Sequence, residues 1–501
     1  MMNDDSGILG KPLANFFFKR GNIPKRLEYP DLLHGTYPAF IQRKDIYLER
    51  YGTRSTMSTL LFFLKNLRHR ASYIPEGALV LSALTFVSYI LGFLRDRMFA
   101  RTFGLSGELD AYNAAFVLPE LLLDVFVAGG LAAAFIPVFS KTVMRDAKRA
   151  ELFSRTTITA SVLVMALSSV LVFIFADATV PLIAPGFDTT TRELYIHLLR
   201  LMCVPPVIFA ASIALGEILV AKRRFVYFGM APVLYNLGIL AGGALLAPSW
   251  GIRGVVAGTI GGALMHIGIR IAGMWKERSV FRPALAFSMP EFKEFIVLML
   301  PKMIGHPIEP ITFLFFTAVA STTGEGAISA ISFGRNFQSV PVALIGIAFS
   351  IAVFPALAEA FAKNDRATYM LRFKKALVGI LALSIPAAIA LYIFGPFIVT
   401  FFFAGGAFTA ENMRTTSYIL MLFSLSVPLE SLSHILSRAL YAQRNTLLPV
   451  ISSLGGLLIC ITAARILSPT LELAAIPVAF AAGNGVKVTL LGIFLRARAS
   501  R

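Results

Sequence analysis

Long apolar stretches separated by short polar loops fill the chain from about residue 78 onward. A helix needs about 20 apolar residues to cross a bilayer, and each of these stretches is long enough. The pattern therefore predicts twelve membrane spans, near 78–100, 109–140, 156–184, 194–221, 227–247, 252–275, 293–320, 326–362, 373–403, 414–442, 446–467 and 473–495. The second and eighth exceed one bilayer thickness and should tilt or bend. They contain four prolines at which a helix can kink, namely Pro119, Pro137, Pro341 and Pro355.

The first 57 residues differ from the rest, because they are polar, of mixed charge and without a run that could span. Residues 58–70 predict a short amphipathic helix whose basic residues would meet anionic lipid. The start has no signal-peptide pattern, and Met57 is an alternative start site. The expected plan is a cytoplasmic extension (1–77), a first lobe (78–275), a cytoplasmic linker (276–292) and a second lobe (293–501).

The distribution of charge predicts the topology. The 501-residue chain has a formal net charge of +18, which can indicate nucleic-acid binding. Here, however, Lys and Arg are concentrated in every second loop, such as 141–155, 222–224 and 363–375, and are scarce in loops such as 184–193 and 404–412. By the positive-inside rule both termini are cytoplasmic, and no nucleic-acid partner is expected.

The two halves of the chain contain similar short motifs in the same order. Ala134–Ser140 (AFIPVFS) is followed in the second half by Ala352–Ala358 (AVFPALA), and Leu219–Arg223 (LVAKR) by Leu440–Arg444 (LYAQR). The offset is close to 220 residues, which is one unit of six spans. An even number of spans makes the repeats parallel, related by a pseudo-twofold axis along the membrane normal. The expected fold is therefore an all-α polytopic bundle of two six-helix lobes, the architecture of an alternating-access transporter.

Three adjacent charged residues, Arg95, Asp96 and Arg97, follow the apolar part of the first span. Ionisable residues at membrane depth are costly and usually face a cavity or a partner. Alternatively, both arginines lie at the helix end and reach the lipid headgroups.

Several motifs resemble the MurJ/MviN family of lipid II flippases, which belongs to the MOP exporter superfamily together with the MATE transporters. The resemblance rests on six stretches: Ser88–Asp96 (SYILGFLRD), Asp110–Pro119 (DAYNAAFVLP), Ala128–Pro137 (AGGLAAAFIP), Phe333–Pro341 (FGRNFQSVP), Gly405–Thr409 (GGAFT) and Arg438–Ala442 (RALYA). It covers residues 78–498. It implies a MATE-like fold in the bacterial inner membrane and movement of undecaprenyl-diphosphate-linked headgroups by alternating access.

The chain also departs from the family pattern. Arg95 and Arg335 match two arginines of the family's central cavity, but Tyr89 and Leu123 stand where others are expected. The seventh-helix carboxylate that the family links to a sodium site appears here as Phe316, and Cys460 falls near that site's Asn. The chain ends after twelve spans, whereas family members commonly have fourteen.

The resemblance implies a diphosphate site made by Arg95 and Arg335, because an arginine fork binds phosphate with two hydrogen bonds and keeps its charge. We expect Asp96 and Asp110 to orient these arginines. Secondary candidates for the site are Arg97, Glu120, Asp124 and Glu309. Glu120 and Asp124, at i,i+4 spacing, would either neutralise an arginine or bind a cation or amino group.

Other polar residues within spans have a structural and a functional interpretation. Glu430, His434 and Arg438 share one helix face and predict either a hydrogen-bonded network or a proton relay. Prolines around His306 and Glu309 argue against a metal site, so neither a metal nor a cofactor is expected. No ATPase, metalloprotease or serine-hydrolase motif occurs, so no enzyme is expected.

Three functional hypotheses follow. The first is a flippase for lipid II or another polyprenyl-linked oligosaccharide, with the lipid-linked precursor and membrane lipids as partners. The second is a MATE-like drug or cation antiporter, favoured by the acidic candidates. The third is a membrane scaffold that contacts cell-wall synthesis proteins.

Overall fold

The computed structural model describes residues 76–305 and 307–499. The predicted extension and its amphipathic helix at 58–70 lie outside the described residues, as does His306. Within the described ranges the chain is helical and forms no strand, apart from an isolated bridge between Gly405 and Phe408. The prediction of an all-α protein is confirmed.

Ten helices make up the first half of the described chain. They are α1 (Glu76–Phe103), α2 (Gly107–Leu123), α3 (Gly129–Val143), α4 (Ala147–Ile174), α5 (Ala176–Ile183), α6 (Thr189–Met202), α7 (Val204–Ala221), α8 (Phe225–Ala241), α9 (Ala247–Trp250) and α10 (Ile252–Gly273).

Nine helices make up the second half. They are α11 (Pro290–Gly305), α12 (Ile308–Ser321), α13 (Ala327–Pro341), α14 (Ala348–Ala362), α15 (Arg366–Phe403), α16 (Ala410–Ser424), α17 (Ser426–Ala442), α18 (Leu447–Leu471) and α19 (Ala475–Ala499). When the helices that fall within one predicted span are joined, the two halves together give twelve helical segments, one for each predicted span.

Two of the breaks are π-helical turns at matching places in the two halves. Asp124–Ala128 separates α2 from α3, and Val342–Ile347 separates α13 from α14. Each turn follows a proline, Pro119 or Pro341. Proline lacks the N–H that would bond the carbonyl four residues earlier, so the hydrogen-bond ladder is already weakened in the turn that precedes each π turn. By contrast, the helix remains regular through Pro137 and Pro355.

The backbone conformation of the turns supports the internal repeat. Arg223 and Arg444 both have positive φ, 58° and 57°, although neither is glycine. Gly251 and Glu472 also match, with φ of 57° and 47°. Both pairs are 221 residues apart, so the repeat seen in short sequence motifs extends to unusual turn geometry.

Small residues allow close helix packing in each half. A third π turn, Gly242–Leu246, follows α8. A Cβ on either Gly242 or Gly258 would collide with the backbone of the other, so α10 packs directly against this turn. In the second half, a Cβ on Gly456 would come within 2.8 Å of the Gly483 carbonyl oxygen, between α18 and α19. Small residues at such crossings are typical of helix pairs in membranes.

Eight stretches of the described chain are long and apolar enough to cross a membrane, and α16 with α17 adds a ninth as a pair bent by 40°. One of the eight, Leu447–Arg498, has 52 residues and contains both α18 and α19, so it is long enough for two crossings. The polytopic membrane class is therefore confirmed, while the number of spans remains approximate.

The loops form two faces. The basic face consists of loops 144–146, 222–224, 363–365 and 443–446, and the distal face of loops 104–106, 184–188, 322–326 and 404–409. The linker region is anchored near the basic face, where Glu291 and Glu294 of α11 pair with Arg149 and Lys141 at 3.0 and 3.1 Å. The first helix of the second half thus packs against the first half.

Candidate functional site

A cavity of about 610 Å³ lies between the two halves and is lined by α1, α2, α7, α8, α12 and α13. A volume of this size is typical of a ligand site. Of the eight predicted site residues, five line it, namely Arg95, Asp96, Glu120, Glu309 and Arg335.

Arg95 occupies the first wall. Its guanidinium donates to Asp96 Oδ1 at 2.9 and 3.1 Å and to Asn236 Oδ1 at 3.4 Å. The second oxygen of Asp96 accepts a hydrogen bond of 2.8 Å from Asn336 Nδ2 of the second half. Asp96 therefore bonds Arg95 and also connects the two walls of the cavity.

Arg335 occupies the opposite wall and is almost fully buried. Its two terminal nitrogens donate to Glu430 at 2.8 and 3.1 Å, and one also donates to Gln338. The guanidinium lies over the rings of Phe313 and Phe480, at 5.5 and 5.0 Å from their centroids. A planar cation between aromatic faces and a carboxylate is held in one orientation.

A second carboxylate reaches the same arginine from the cavity. Glu309 Oε1 lies 3.5 Å from Arg335 Nη2, and the Glu309 side chain is 68% exposed. Glu309 lies in the first turn of α12, just after the break at Pro307 that the flanking prolines predicted. Arg335 is thus held by a buried carboxylate and also approached by an exposed one.

The secondary candidates Glu120 and Asp124 are placed differently. Glu120 is exposed to the cavity, whereas Asp124 begins the π turn and does not line the cavity. The regular i,i+4 geometry assumed from the sequence ends at this turn.

Arg97 and Asp110 lie outside the cavity. Arg97 is half-buried, and its Nη1 donates to the Phe401 carbonyl oxygen at 3.4 Å. Asp110 is 1% exposed and accepts hydrogen bonds from the Ser329 backbone N–H and hydroxyl, at 2.8 and 2.6 Å. Asp110 therefore joins the two halves near the distal face and does not contact Arg95 or Arg335.

Further hydrogen bonds close the distal face. The Gly107 N–H donates to Glu325 at 2.8 Å, and the Gly186 N–H to Ser321 at 3.1 Å. Arg101 donates twice to the Ala404 carbonyl oxygen, at 3.0 and 2.6 Å. On the basic face, loops 363–365 and 443–446 form no hydrogen bond with the first half among the residues described. Apart from the ion pairs that α11 makes near the basic face, the hydrogen bonds described between the two halves therefore lie at the distal face and at the cavity.

The two positions that the resemblance relates to a sodium site lie in an apolar environment here. Phe316 and Cys460 are 1% and 3% exposed and belong to one hydrophobic cluster, where Phe316 packs against Phe480. In the part of the chain that the structure describes, no group of three or more His, Cys, Asp or Glu residues could hold a metal ion.

Three residues that bond the charged side chains of the site were not identified from the sequence, namely Asn236, Asn336 and Gln338. Gln338 lies three residues after Arg335, and this i,i+3 spacing on one helix is a signal that could have identified it. Asn236 and Asn336 contact α1 across the bundle, and nothing in their local sequence indicates those partners.

Two matched bundles of helices around a polar cavity closed at one face define a two-lobed membrane transporter. Within that class, the chain belongs to the lipid II flippase MurJ family, whose model matches residues 99–500. The family is one of transporters, so the resemblance and the prediction of a non-enzyme are confirmed.

Individual relatives agree with this assignment. The probable lipid II flippase MurJ of Rickettsia prowazekii is 26% identical over 393 residues, covering 77% of this chain and 76% of the relative. That of Bdellovibrio bacteriovorus is 28% identical over 417 residues, covering 80% and 79%.

Solved structures give the same fold. A lipid II flippase MurJ in an inward closed conformation matches with a TM-score of 0.73 and 25% identity, over 83% of this chain and 87% of that one. An inward-facing MATE multidrug transporter matches with a TM-score of 0.68 and 15% identity, over 85% and 98%. The MATE match concerns the fold alone.

Proposed function

We propose that this protein is a lipid II flippase, which moves an undecaprenyl-diphosphate-linked headgroup across the cytoplasmic membrane by alternating access. The observation that carries the proposal is the placement of Arg95 and Arg335 on opposite walls of one cavity between the lobes. The names of the relatives support it. A diphosphate has two phosphate groups, so each arginine fork can bind one of them.

The transport cycle follows from the contacts between the lobes. With the distal face closed, the headgroup enters the cavity from the basic face. Breaking the bonds made by Asp110, Glu325 and Arg101 would open the distal face for release. Asp96 bonds both Arg95 and Asn336, so its bond to Asn336 would form only when the two walls are close together.

Glu309 is proposed as the group that the substrate displaces. Glu430 holds Arg335 through two short bonds in a buried setting, whereas Glu309 contacts it at 3.5 Å from an exposed position. A phosphate that replaces Glu309 exchanges one anion for another, so Arg335 is not left unpaired at any stage. Release is correspondingly easier, because Glu309 returns to the arginine.

A cationic substrate is the second candidate, and the charges of the cavity favour it. Two arginines face three lining carboxylates, those of Asp96, Glu120 and Glu309. Glu120 is exposed to the cavity and would bind a cation or amino group. A MATE-like antiporter would depend on Glu120, whereas a diphosphate flippase would depend on Arg95 and Arg335.

The remaining proposals concern location and organisation. We place the protein in the bacterial inner membrane with both termini cytoplasmic, because the basic loops lie on one face. The lobes are proposed as 78–275 and 293–501, joined by linker 276–292. Arg155 supports the linker by donating to the carbonyl oxygens of Arg282 and Pro283, at 2.8 and 3.2 Å. Cell-wall synthesis proteins are proposed as further partners.

The test is rescue of flippase-depleted bacteria, together with flipping of lipid II in vesicles, for Ala and Lys variants of Arg95 and Arg335. Losing one charge-assisted contact of about 1.5–3 kcal/mol should weaken headgroup binding by one to two orders of magnitude. Lys should rescue neither site fully, since it lacks the fork. Arg97→Ala is the matched control, because it removes the same charge from the same helix outside the cavity.

Normal flipping by all Arg95 and Arg335 variants would refute the diphosphate site. If Glu120→Gln alone abolishes activity and cationic drugs are exported, the antiporter is the correct function. Rescue by variants that flip nothing in vesicles would point to a scaffold.

A further inference from the structure

A second cavity, of about 260 Å³, opens at the basic face of the second half. It lies where α14 and α17 end, where α15 begins and where α19 approaches its end. Arg366 and Arg498 line it and are exposed, and the buried Tyr369 lines it with Gln443. Because several spanning helices end here, the cavity lies at the level of the lipid headgroups.

Neither arginine has a partner for its side chain among the described residues. The nearby carboxylates are already engaged: Glu359 pairs with Lys363 at 2.7 Å and Arg372 at 3.8 Å. Asp365 caps α15 by accepting from the Thr368 N–H at 2.9 Å. The two guanidinium groups therefore present their charge and hydrogen-bond donors to whatever enters the cavity.

The internal repeat shows how the charges at this cavity differ from those at the matching place in the first half. In the first half, Glu277 neutralises Lys222 and Arg224, at 3.2 and 2.6 Å. The offset of 221 residues that relates Arg223 to Arg444 places Gln443 in sequence register with Lys222 and Arg498 with Glu277. The second half thus has an arginine where the first half has the neutralising carboxylate.

The remaining walls are suited to a lipid rather than to a bare ion. Phe361 and Met370 line the cavity beside the arginines, and Phe361 is 39% exposed. The Tyr369 hydroxyl donates to the Ala439 carbonyl oxygen at 2.7 Å and accepts from Gln443 at 3.2 Å, so the polar wall is rigid.

We propose that this cavity binds the phosphodiester headgroup of an anionic phospholipid, with Arg366 and Arg498 on the phosphate and Phe361 and Met370 against the start of an acyl chain. Basic pockets between membrane helices on the cytoplasmic side bind such headgroups. The site is separate from the central cavity and independent of what that cavity transports.

The experiment is native mass spectrometry of the purified full-length protein, titrated with phosphatidylglycerol or phosphatidylcholine. Each variant Arg366→Gln and Arg498→Gln should weaken phosphatidylglycerol binding about fivefold, and the double variant roughly 30-fold. Lys375→Gln is the matched control: it removes an exposed charge from α15 outside the cavity, so it should change binding by less than about twofold. Phosphatidylcholine should bind weakly to all variants.

A second arm separates a lipid from free phosphate. Phe361→Ala should weaken phosphatidylglycerol binding, and inorganic phosphate should compete only at far higher concentration than the lipid. Parent-like lipid binding by the double arginine variant would overturn the site. Equal competition by inorganic phosphate, with no effect of Phe361→Ala, would overturn the lipid and leave a phosphate site.

Discussion

The buried pair between Arg335 and Glu430 should contribute to stability in an unusual, non-additive way. The two side chains are only 9% and 11% exposed, and two hydrogen bonds of 2.8 and 3.1 Å join them. Glu430→Gln would leave the buried arginine charge with only the exposed Glu309 carboxylate, 3.5 Å away, as its counter-ion. Replacing both residues by methionine instead removes the charge along with its counter-ion.

The magnitudes follow from this burial. Breaking a buried pair by removing one partner costs about 3–5 kcal/mol, whereas replacing both partners by apolar residues is often nearly neutral. We therefore expect Glu430→Gln to lower the free energy of unfolding by about 3–5 kcal/mol and the double variant to cost much less. The double variant should nevertheless lose transport, because it lacks the Arg335 fork.

The assay can use the protein's own thiols. Cys203 and Cys460 are free and buried, so a thiol-reactive fluorophore reports unfolding in detergent during a temperature ramp. The control is Glu359→Gln, which breaks the exposed pair with Lys363 and should cost less than about 1 kcal/mol. If Glu430→Gln is no more destabilising than Glu359→Gln, or if the double variant is the least stable, the reasoning is refuted.

Two further predictions concern the faces of the molecule. Asp110→Asn removes the charged acceptor from the hydrogen bonds with Ser329, and a hydrogen bond to a charged group contributes about 1.5–3 kcal/mol. A cysteine that replaces cavity residue Ser332 should then react at least several-fold faster with an impermeant maleimide added from the distal side. An unchanged rate would contradict the proposed closure. At the basic face, hydrogen bonds from Arg224 lower the pKa of Glu277. Its contribution is therefore present above its unfolded pKa of about 4.3 and is lost as pH falls through the lower folded pKa. The unfolding temperatures of Glu277→Gln and the parent should therefore converge progressively as pH falls below about 4, and a gap that does not narrow would rule out this pair as its cause.

Much of the cavity could be predicted because charge inside a membrane span is rare. Arg95, Asp96, Glu120, Glu309 and Arg335 line one cavity, and each was identified from charge at membrane depth or from a family motif. Charge at membrane depth and the family motif also predicted that Asp110 orients a cavity arginine, but Asp110 bonds Ser329 outside the cavity. A carboxylate that holds the lobes together is as charged and as buried as one that orients an arginine. Sequence position alone does not distinguish these roles.

The pairing of charges depended on the tertiary structure. The sequence predicted either an interhelical hydrogen-bond network or a proton relay for the helix face of Glu430, His434 and Arg438, but it did not identify the partner. The short bonds of Glu430 go to Arg335, 95 residues away. Asp96 meets Asn336 across 240 residues. Such contacts are decided by helix packing, and the local pattern does not encode them.

The sequence by itself determined the membrane class, the approximate helix count and the repeat. Hydropathy and loop charge are local properties, and they decide directly how each segment inserts into the bilayer. It also determined the break before Glu309, since proline acts on its own turn. The tertiary structure decided which face is closed, that Asp124 does not line the cavity because α2 ends in a π turn, and that Arg366 and Arg498 share a cavity. These features arise where helices distant in the chain meet, and their geometry depends on how the two lobes pack.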